Sequence, residues 1–391
     1  MSRRRIDVAI VGGGVVGSAC ALALAQLDLQ VALVEANEPA RWSAAQRDLR
    51  VYALSPDNAA LLATLGVWKG IRSARAQPYR RMRVWDAAGG GELDIEADAL
   101  GRRELGWIVE HGLLADRLWQ ALVQAGVQLH CPARLQACEQ HDAGVRLELD
   151  DGLRIDARLA VAADGADSSL RRLAGVRVDA RDYAQRGVVC FVACECPHED
   201  TAWQRFLPGG PLALLPFTGG DCSIVWTLPD DEAVRVMALD DGRFAQELAI
   251  ASGLRLGALR PTSPRAGFPL RRQLTAQVQG RVLLVGDAAH VVHPLAGQGV
   301  NLGLRDVAAL GRLLAPAQPR SGGDIATPQR LARWARERRS ENALAAHAFE
   351  GINRLYSSDG MMQTLLRGSL LGMAGRLPPV AAGLWRRASG L

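Results

Sequence analysis

The chain has little that would brace it covalently or through a metal. Its seven cysteines, at positions 20, 131, 138, 190, 194, 196 and 222, form no paired framework. That is the pattern of reduced thiols in a cytosolic protein, not of a disulfide scaffold. Cys194 and Cys196 make a lone C-x-C without the second ligand pair a zinc site requires. His290 and His293 have no suitably spaced carboxylate or third histidine, so no metal site is expected, and helix capping or loop packing is the expected role of these rings. An uninterrupted membrane span is missing too. Arg3-Arg4-Arg5 before the apolar run Val8 to Ala25 imitates a signal peptide, but the run holds a glycine-rich turn, Ser18 and Cys20, and it follows Asp7. A buried strand, a turn and a buried helix explain it better, so neither a targeting segment nor a transmembrane helix is expected. The charge is not lopsided: a net +5, mostly from arginine, suits an anionic cofactor or an acidic membrane surface as well as nucleic acid. No RNA- or DNA-binding motif accompanies it, and no nucleic-acid partner is expected. Internal repeats are absent.

What is present is an ordinary globular balance, 49% hydrophobic and 22% charged over 391 residues, enough for two or three lobes around a shared core. Three glycine-bearing turns, far apart in the chain, carry the chemistry. The first is Gly12-Gly13-Gly14-Val15-Val16-Gly17, between the β-branched run Ile6 to Val11 and the Ala/Leu-rich run Val15 to Leu27. This strand–turn–helix context gives G-x-G-x-x-G its meaning: Gly12 for the tight turn, Gly14 for close approach of a pyrophosphate, Gly17 for helix–strand packing. The helix N-terminus then offers free N–H groups to phosphates. A second strand, Val31 to Val34, ends in Glu35, whose carboxylate suits the two hydroxyls of an adenosine ribose and would repel a 2′-phosphate. The first site therefore reads as FAD or NAD, not NADP.

The second turn, Asp164-Gly165-Ala166-Asp167-Ser168, follows a strand through Arg158 to Ala163, and Ser168 with Arg171 suits a cap on the next turn of helix. An ordinary strand-to-helix loop would look the same. The third is Gly286-Asp287-Ala288-Ala289-His290, after the buried run Arg281 to Val285 and before His293-Pro294-Leu295-Ala296-Gly297-Gln298-Gly299-Val300-Asn301. Asp287 can accept from a ribityl chain. The stretch from Gly297 to Gly299 can present N–H groups to an isoalloxazine ring at the start of a helix through Leu302, Val307 and Leu310.

Together these motifs resemble the class A flavoprotein monooxygenases, and within them the FAD-dependent hydroxylases of ubiquinone biosynthesis. The finer likeness rests on Leu49-Arg50-Val51-Tyr52-Ala53-Leu54, on Thr201 to Phe206, on Gly210 to Pro216, on Cys222 to Trp226 and on the run ending at Asp306. The resemblance implies an α/β fold of the glutathione-reductase and para-hydroxybenzoate-hydroxylase type: a discontinuous Rossmann-like FAD lobe (1–75, 100–177 and 272–345), an inserted β-sheet substrate lobe (76–99 and 178–271) and a C-terminal helical tail (346–391). It implies FAD contacts at Gly12, Gly14, Gly17, Glu35, Arg50, Asp164, Gly286, Asp287, Pro294, Gly297, Gly299, Val300 and Asn301, and substrate contacts at Phe206, Leu215, Pro216 and Trp226. No side chain stands out as catalytic; the implied cycle takes electrons from NAD(P)H, takes up O2, and transfers oxygen from a flavin C4a-hydroperoxide to the ring of a polyprenylated phenol. One departure is plain: relatives often carry Glu-Asn before the third helix, and this chain has Glu110-His111, so that contact stays unassigned.

Local patterning fills in the rest. Arg80 to Trp85 and Glu92 to Ile95 read as a hairpin closed by Gly89-Gly90-Gly91, and Arg134 to Ile155 as an antiparallel meander turning at Asp150-Asp151-Gly152. Runs at Val188 to Ala193, Leu212 to Pro216 and Ser223 to Leu228 read as strands of the substrate sheet. From Met361 the tail mixes Leu, Met and Trp385 with Arg367, Arg376, Arg386 and Arg387. This suits helices docking on a membrane surface or on other ubiquinone-biosynthesis proteins, or simply covering the nucleotide lobe. The expected location is the cytoplasm, peripheral at the inner face of the cytoplasmic membrane, with an oligomer allowed. Two alternatives stay open: a hydroxylase of a small soluble aromatic acid, and a prenyl-binding protein of the same fold without redox chemistry.

Overall fold

The computed structural model describes residues 6–87, 91–292, 299–315, 324–339 and 383. Its spine is a parallel sheet in the spatial order Val282–Leu284, Arg154–Ala162, Ile6–Val11, Val31–Val34, Gln128–His130. Past Asp7, the strands Ile6–Val11 and Val31–Val34 are apolar because both faces are covered, as in any sheet with helices on each side. The helix Val15–Ala25 lies against one face, with Ala19, Cys20, Ala21, Leu22 and Leu24 all buried. It packs between the helices His111–Gln124 and Gly299–Leu314. The meander (Leu135–His141, Gly144–Leu149 and the first half of Arg154–Ala162) extends one edge, antiparallel, as the turn chemistry suggests. Parallel strands all point the same way, so the turns after Val11, Ala162 and Leu284 emerge along one edge of the sheet. In open parallel sheets that edge is where ligands bind.

A larger, mostly antiparallel sheet runs His290–Val291, Ala266–Thr275, Val178–Cys194, Asp221–Pro229, Gly210–Pro216, Thr201–Leu207, Arg81–Asp86, Glu92–Glu96. Thr201–Leu207 and Arg81–Asp86 pair in parallel, which joins two pieces of chain more than a hundred residues apart. Period-two alternation gives the sheet two apolar faces. On one, Phe191, Ala202, Phe206, Ala213, Leu215 and Phe217 pack on Val51, Ala53 and Ile108 of a small third sheet (Val51–Leu54, Gly106–Glu110, Ala76–Tyr79). On the other, Trp85, Trp203, Leu212, Leu214, Ile224 and Trp226 pack on the helices Asp230–Ala238 and Asp241–Ala251.

Those two helices are not among the elements expected from the sequence, which places only a sheet in this lobe. The signal was there: Asp230, Asp231 and Glu232 crowd one first turn, and Asp240 caps the other by accepting from the Arg243 N–H. Val178–Cys194 also starts ten residues before the expected Val188. Its first half is exposed and charged, and a bulge at Asp182/Gln185 breaks the alternation.

Candidate cofactor site

The first strand ends in a turn that only glycine can make. Gly12 has φ +105°, and a Cβ there would lie 2.4 Å from the Ala163 carbonyl oxygen. At Gly17 a Cβ would lie 1.9 Å from the Gly12 carbonyl oxygen, so this residue sets how closely helix and turn approach. Gly14 differs: it is exposed, and a Cβ there would meet nothing within 4 Å. It is the N-cap of Val15–Ala25 and opens onto a cleft of about 560 Å³ lined by all three turns. The first turn of that helix directs N–H groups and its partial positive charge into the cleft.

At one end of the cleft, Glu35 accepts from the N–H groups of Gly13 (2.5 Å) and Asn37 (3.0 Å), which fixes its carboxylate at the mouth beside Asn37 and Arg134. Along the wall, Asp164 also lines the cleft, yet its oxygens cap the short helix Ser169–Leu173. They accept from Ser168 Oγ, the Ser169 N–H and Oγ (2.7 and 2.8 Å) and the Leu170 N–H (3.2 Å). Ser168 Oγ accepts from the Arg171 N–H, as the sequence suggests. Arg171, nearly fully buried, spans to the third turn, donating to the carbonyls of Ala166 (2.7 Å) and Ala288 (2.9 Å). At the other end Asp287 lies 3.9 Å from Arg50, with Val285 and Val300 beside it.

Arg50 sits over the Tyr52 ring (5.4 Å), and the Tyr52 hydroxyl meets His111 Nδ1 at 2.9 Å. Burial first, then the nearby Arg50 charge, holds His111 below the ordinary imidazole pKa, against smaller opposing effects of Asp48 and Asp287. The loop carrying Arg50 is tied down from behind. Glu110, fully buried, accepts from Trp42 Nε1 (3.2 Å), the Asp48 N–H (2.9 Å) and Arg75 (3.2 Å), while the guanidinium groups of Arg75 and Arg117 lie 5.1 and 5.7 Å from the Trp42 ring centre. The sequence marks Glu110 only as part of the unassigned Glu110-His111 pair and gives no sign of Arg75; an acid and an arginine 35 residues apart carry no local signal of meeting.

Several expected contacts are placed elsewhere. Asn301 is turned away from the cleft: its amide donates to the Ala53 carbonyl (2.8 Å), and its oxygen accepts from the Ser55 N–H, Ser55 Oγ and Asn58 Nδ2. It is a buried rivet between Gly299–Leu314 and the helix Pro56–Thr64. Asn301→Ala is expected to destabilise the chain by about 2–4 kcal/mol, read by urea denaturation, because two or three buried polar groups lose their partners. Gly17 is buried in its helix, and Gly286 is buried with its N–H donating to Asp306 (2.9 Å), so both shape the turns and do not line the cleft. Pro294 and Gly297 lie outside the described residues, as does His293; Gly299 begins the helix Gly299–Leu314. His290 neither caps a helix nor packs a loop. It forms an edge strand of the larger sheet, and its Nε2 lies 2.6 Å from Asp306.

Of the substrate candidates, Phe206 and Leu215 share the face that packs on Val51 and Ala53, next to Arg50. Trp226 is on the opposite face, 6.4 Å from the Phe244 ring, because Leu212, its register partner, also points that way. Pro216 pairs with Cys222 and alternates with Leu215, so it too belongs to the far face.

The donor set fits a flavin dinucleotide: an open helix N-terminus for two phosphates, a carboxylate for a ribose at one end, and Asp287 with a second helix start at the other. The sequence profile of the FAD binding domain family matches residues 5–346. The 3-demethoxyubiquinol 3-hydroxylase of Escherichia coli is 42% identical over 324 residues, covering 81% of this chain and 82% of its own. The ubiquinone hydroxylase UbiL of Rhodospirillum rubrum is 38% identical over 387 residues, covering 98% and 89%. Among solved structures, p-nitrophenol 4-monooxygenase PnpA of Pseudomonas putida matches with a TM-score of 0.79 over 98% of both chains at 20% identity, a likeness of fold.

Proposed function

The chain belongs to the FAD binding domain family and, within it, to the FAD-dependent monooxygenases of ubiquinone biosynthesis, and from that premise we propose that it hydroxylates the ring of a polyprenylated phenol at the expense of O2 and NAD(P)H. Bound FAD supplies the hydride acceptor and the oxygen-activating centre. The protein's share is to bind, orient and shield. In this reading Gly12, Gly14 and the first turn of Val15–Ala25 take the pyrophosphate, Glu35 the adenosine ribose, and Arg50, Asp164, Asp287 and Val300 the remaining length. Residues 76–99 and 178–271 form the substrate lobe.

The observation that carries the substrate class is the sheet face above Arg50. Phe191, Phe206, Leu215 and Phe217 are buried hydrocarbon there, packed toward Val51 and Ala53, and Arg47, which reaches that face among the described residues, stacks on Phe191 and Phe217 and is paired with Asp221. A small aromatic acid would need a free cation for its carboxylate. A prenyl chain needs none, since each buried CH2 contributes roughly 0.8 kcal/mol. The test compares NADH and NADPH oxidation, with product mass, in the presence of a short-chain prenylphenol and of a soluble hydroxybenzoate. Gain of one oxygen by the prenylphenol supports the reading; turnover of the benzoate alone replaces it with the small-acid reading.

Leu215→Ala is expected to raise the prenylphenol KM roughly tenfold, about 1.4 kcal/mol of lost contact. Trp226→Phe, on the far face, leaves KM unchanged; equal KM effects would reject the assignment of faces. We further propose that the protein works in the cytoplasm, at the inner face of the membrane that holds such a substrate. The support is the Leu-, Met- and Arg-rich composition of residues 361–391, which lie outside the described residues apart from 383. No helix among the described residues is long and apolar enough to cross a membrane. Deleting the tail is expected to abolish co-sedimentation with anionic vesicles; unchanged co-sedimentation overturns the docking role.

A further inference from the structure

We propose that His111 is a cofactor contact through which FAD binding takes up a proton, so that affinity for FAD falls as pH rises through neutrality. His111 opens the helix His111–Gln124 and lines the same cleft as Gly14, Arg50 and Asp287. Its backbone N–H donates to the Arg50 carbonyl (2.8 Å), so ring and arginine are locked side by side on one wall. Nδ1 is engaged by the Tyr52 hydroxyl at 2.9 Å, with the two rings edge to face at 5.8 Å. A phenol can either donate to a bare Nδ1 or accept from Nδ1–H, so this partner tolerates both protonation states of the imidazole. With Nδ1 committed to Tyr52, Nε2 is the nitrogen left for a ligand.

The groups facing the ring fix the sign. Tyr52 is a phenol whose pKa is pushed further up, mainly by burial. Arg50 supplies the positive charge; Asp48 and Asp287 supply negative charge, with Asp48 already accepting from the N–H groups of Arg50 and Gly112 (2.9 Å each). Glu110, the preceding residue, spends its carboxylate on Trp42, Asp48 and Arg75. Without a ligand, burial and Arg50 outweigh these acids and keep the ring neutral at pH 7. The FAD pyrophosphate brings two negative charges into a cleft where Arg50 and the helix starts already attract them. They favour the imidazolium and raise the pKa in the complex. A group whose pKa is higher in the complex than in the free protein makes binding tighter below the bound-state pKa. The gain is lost as pH rises through it, by up to tenfold in Kd per pH unit within the window.

The experiment is a titration of the flavin-stripped full-length chain with FAD, followed by quenching of flavin fluorescence, between pH 6 and 8. Calorimetry in two buffers of different ionisation enthalpy then counts protons directly. The expected result is a Kd that rises about tenfold across this range with net proton uptake at pH 7, and a flat profile for His111→Asn. Tight but pH-independent binding with no proton uptake by the unaltered chain overturns the proposal, as does a His111→Asn profile parallel to that of the unaltered chain. Failure to bind FAD at any pH would instead count against the family assignment, so the two are separable.

Discussion

Replacing Asp306 by alanine is expected to cost about 3–5 kcal/mol of folding stability, the range for breaking a buried charge pair by removing one partner. Asp306 is completely buried and accepts from the Gly286 N–H (2.9 Å), His290 Nε2 (2.6 Å) and Arg338 Nε (2.7 Å). Burial alone would raise its pKa, but His290 and Arg338 outweigh burial and hold the carboxyl below its usual range. Its contribution is therefore complete at neutral pH, above the unfolded-state pKa, and is lost as pH falls through the lowered folded-state value. The carboxylate ties together the third turn, the edge strand bearing His290, and the helical residues 328–339 that bear Arg338. Alanine would remove the carboxylate that Arg338 Nε meets in an almost wholly buried setting, so the loss should exceed that of any surface pair. Urea denaturation of the two proteins at pH 7 gives the difference; a loss below about 1 kcal/mol would mean these donors find other partners.

The second large effect separates folding from cofactor binding within one turn. Gly14→Ala should leave stability within about 1 kcal/mol, since its backbone (φ −67°, ψ −173°) suits alanine and a Cβ there meets no protein atom. It should nevertheless weaken FAD at least tenfold, because the added methyl occupies the space a pyrophosphate needs over the helix start. Gly17→Ala should do the reverse first: a Cβ 1.9 Å from the Gly12 carbonyl oxygen forces helix and turn apart, at a cost of about 1–3 kcal/mol, with cofactor loss as a consequence. Absorbance near 450 nm of the purified proteins, beside their denaturation midpoints, reads both quantities. Equal stability losses in the two variants would contradict this division of labour.

The sequence was most legible where backbone geometry dictates residue type. Gly12 at φ +105° and Gly17 beneath the Gly12 carbonyl can be nothing else, and Val8 to Val11 and Val31–Val34 are apolar because both their faces are covered. Legibility fell where a polar residue has two plausible employers. Asn301 sits in a motif rich in flavin contacts, yet its side chain rivets two helices, and Asp164 both lines the cleft and caps Ser169–Leu173. It failed where the partner is distant in the chain. Glu110 with Arg75, Arg171 with Ala288, and Asp306 with Arg338 are meetings that only the fold arranges. The face of Trp226 was lost for another reason: two apolar faces on one sheet leave the alternation without a polar side to orient it.

Hydrogen–deuterium exchange of the flavin-stripped chain with and without FAD tests most directly whether remote turns grip one molecule. Simultaneous protection of residues 12–17, 35–37, 164–170 and 285–288, saturating at one FAD per chain, is the predicted result. Protection confined to the first turn, with the segments after Ala162 and Leu284 unchanged, would contradict it.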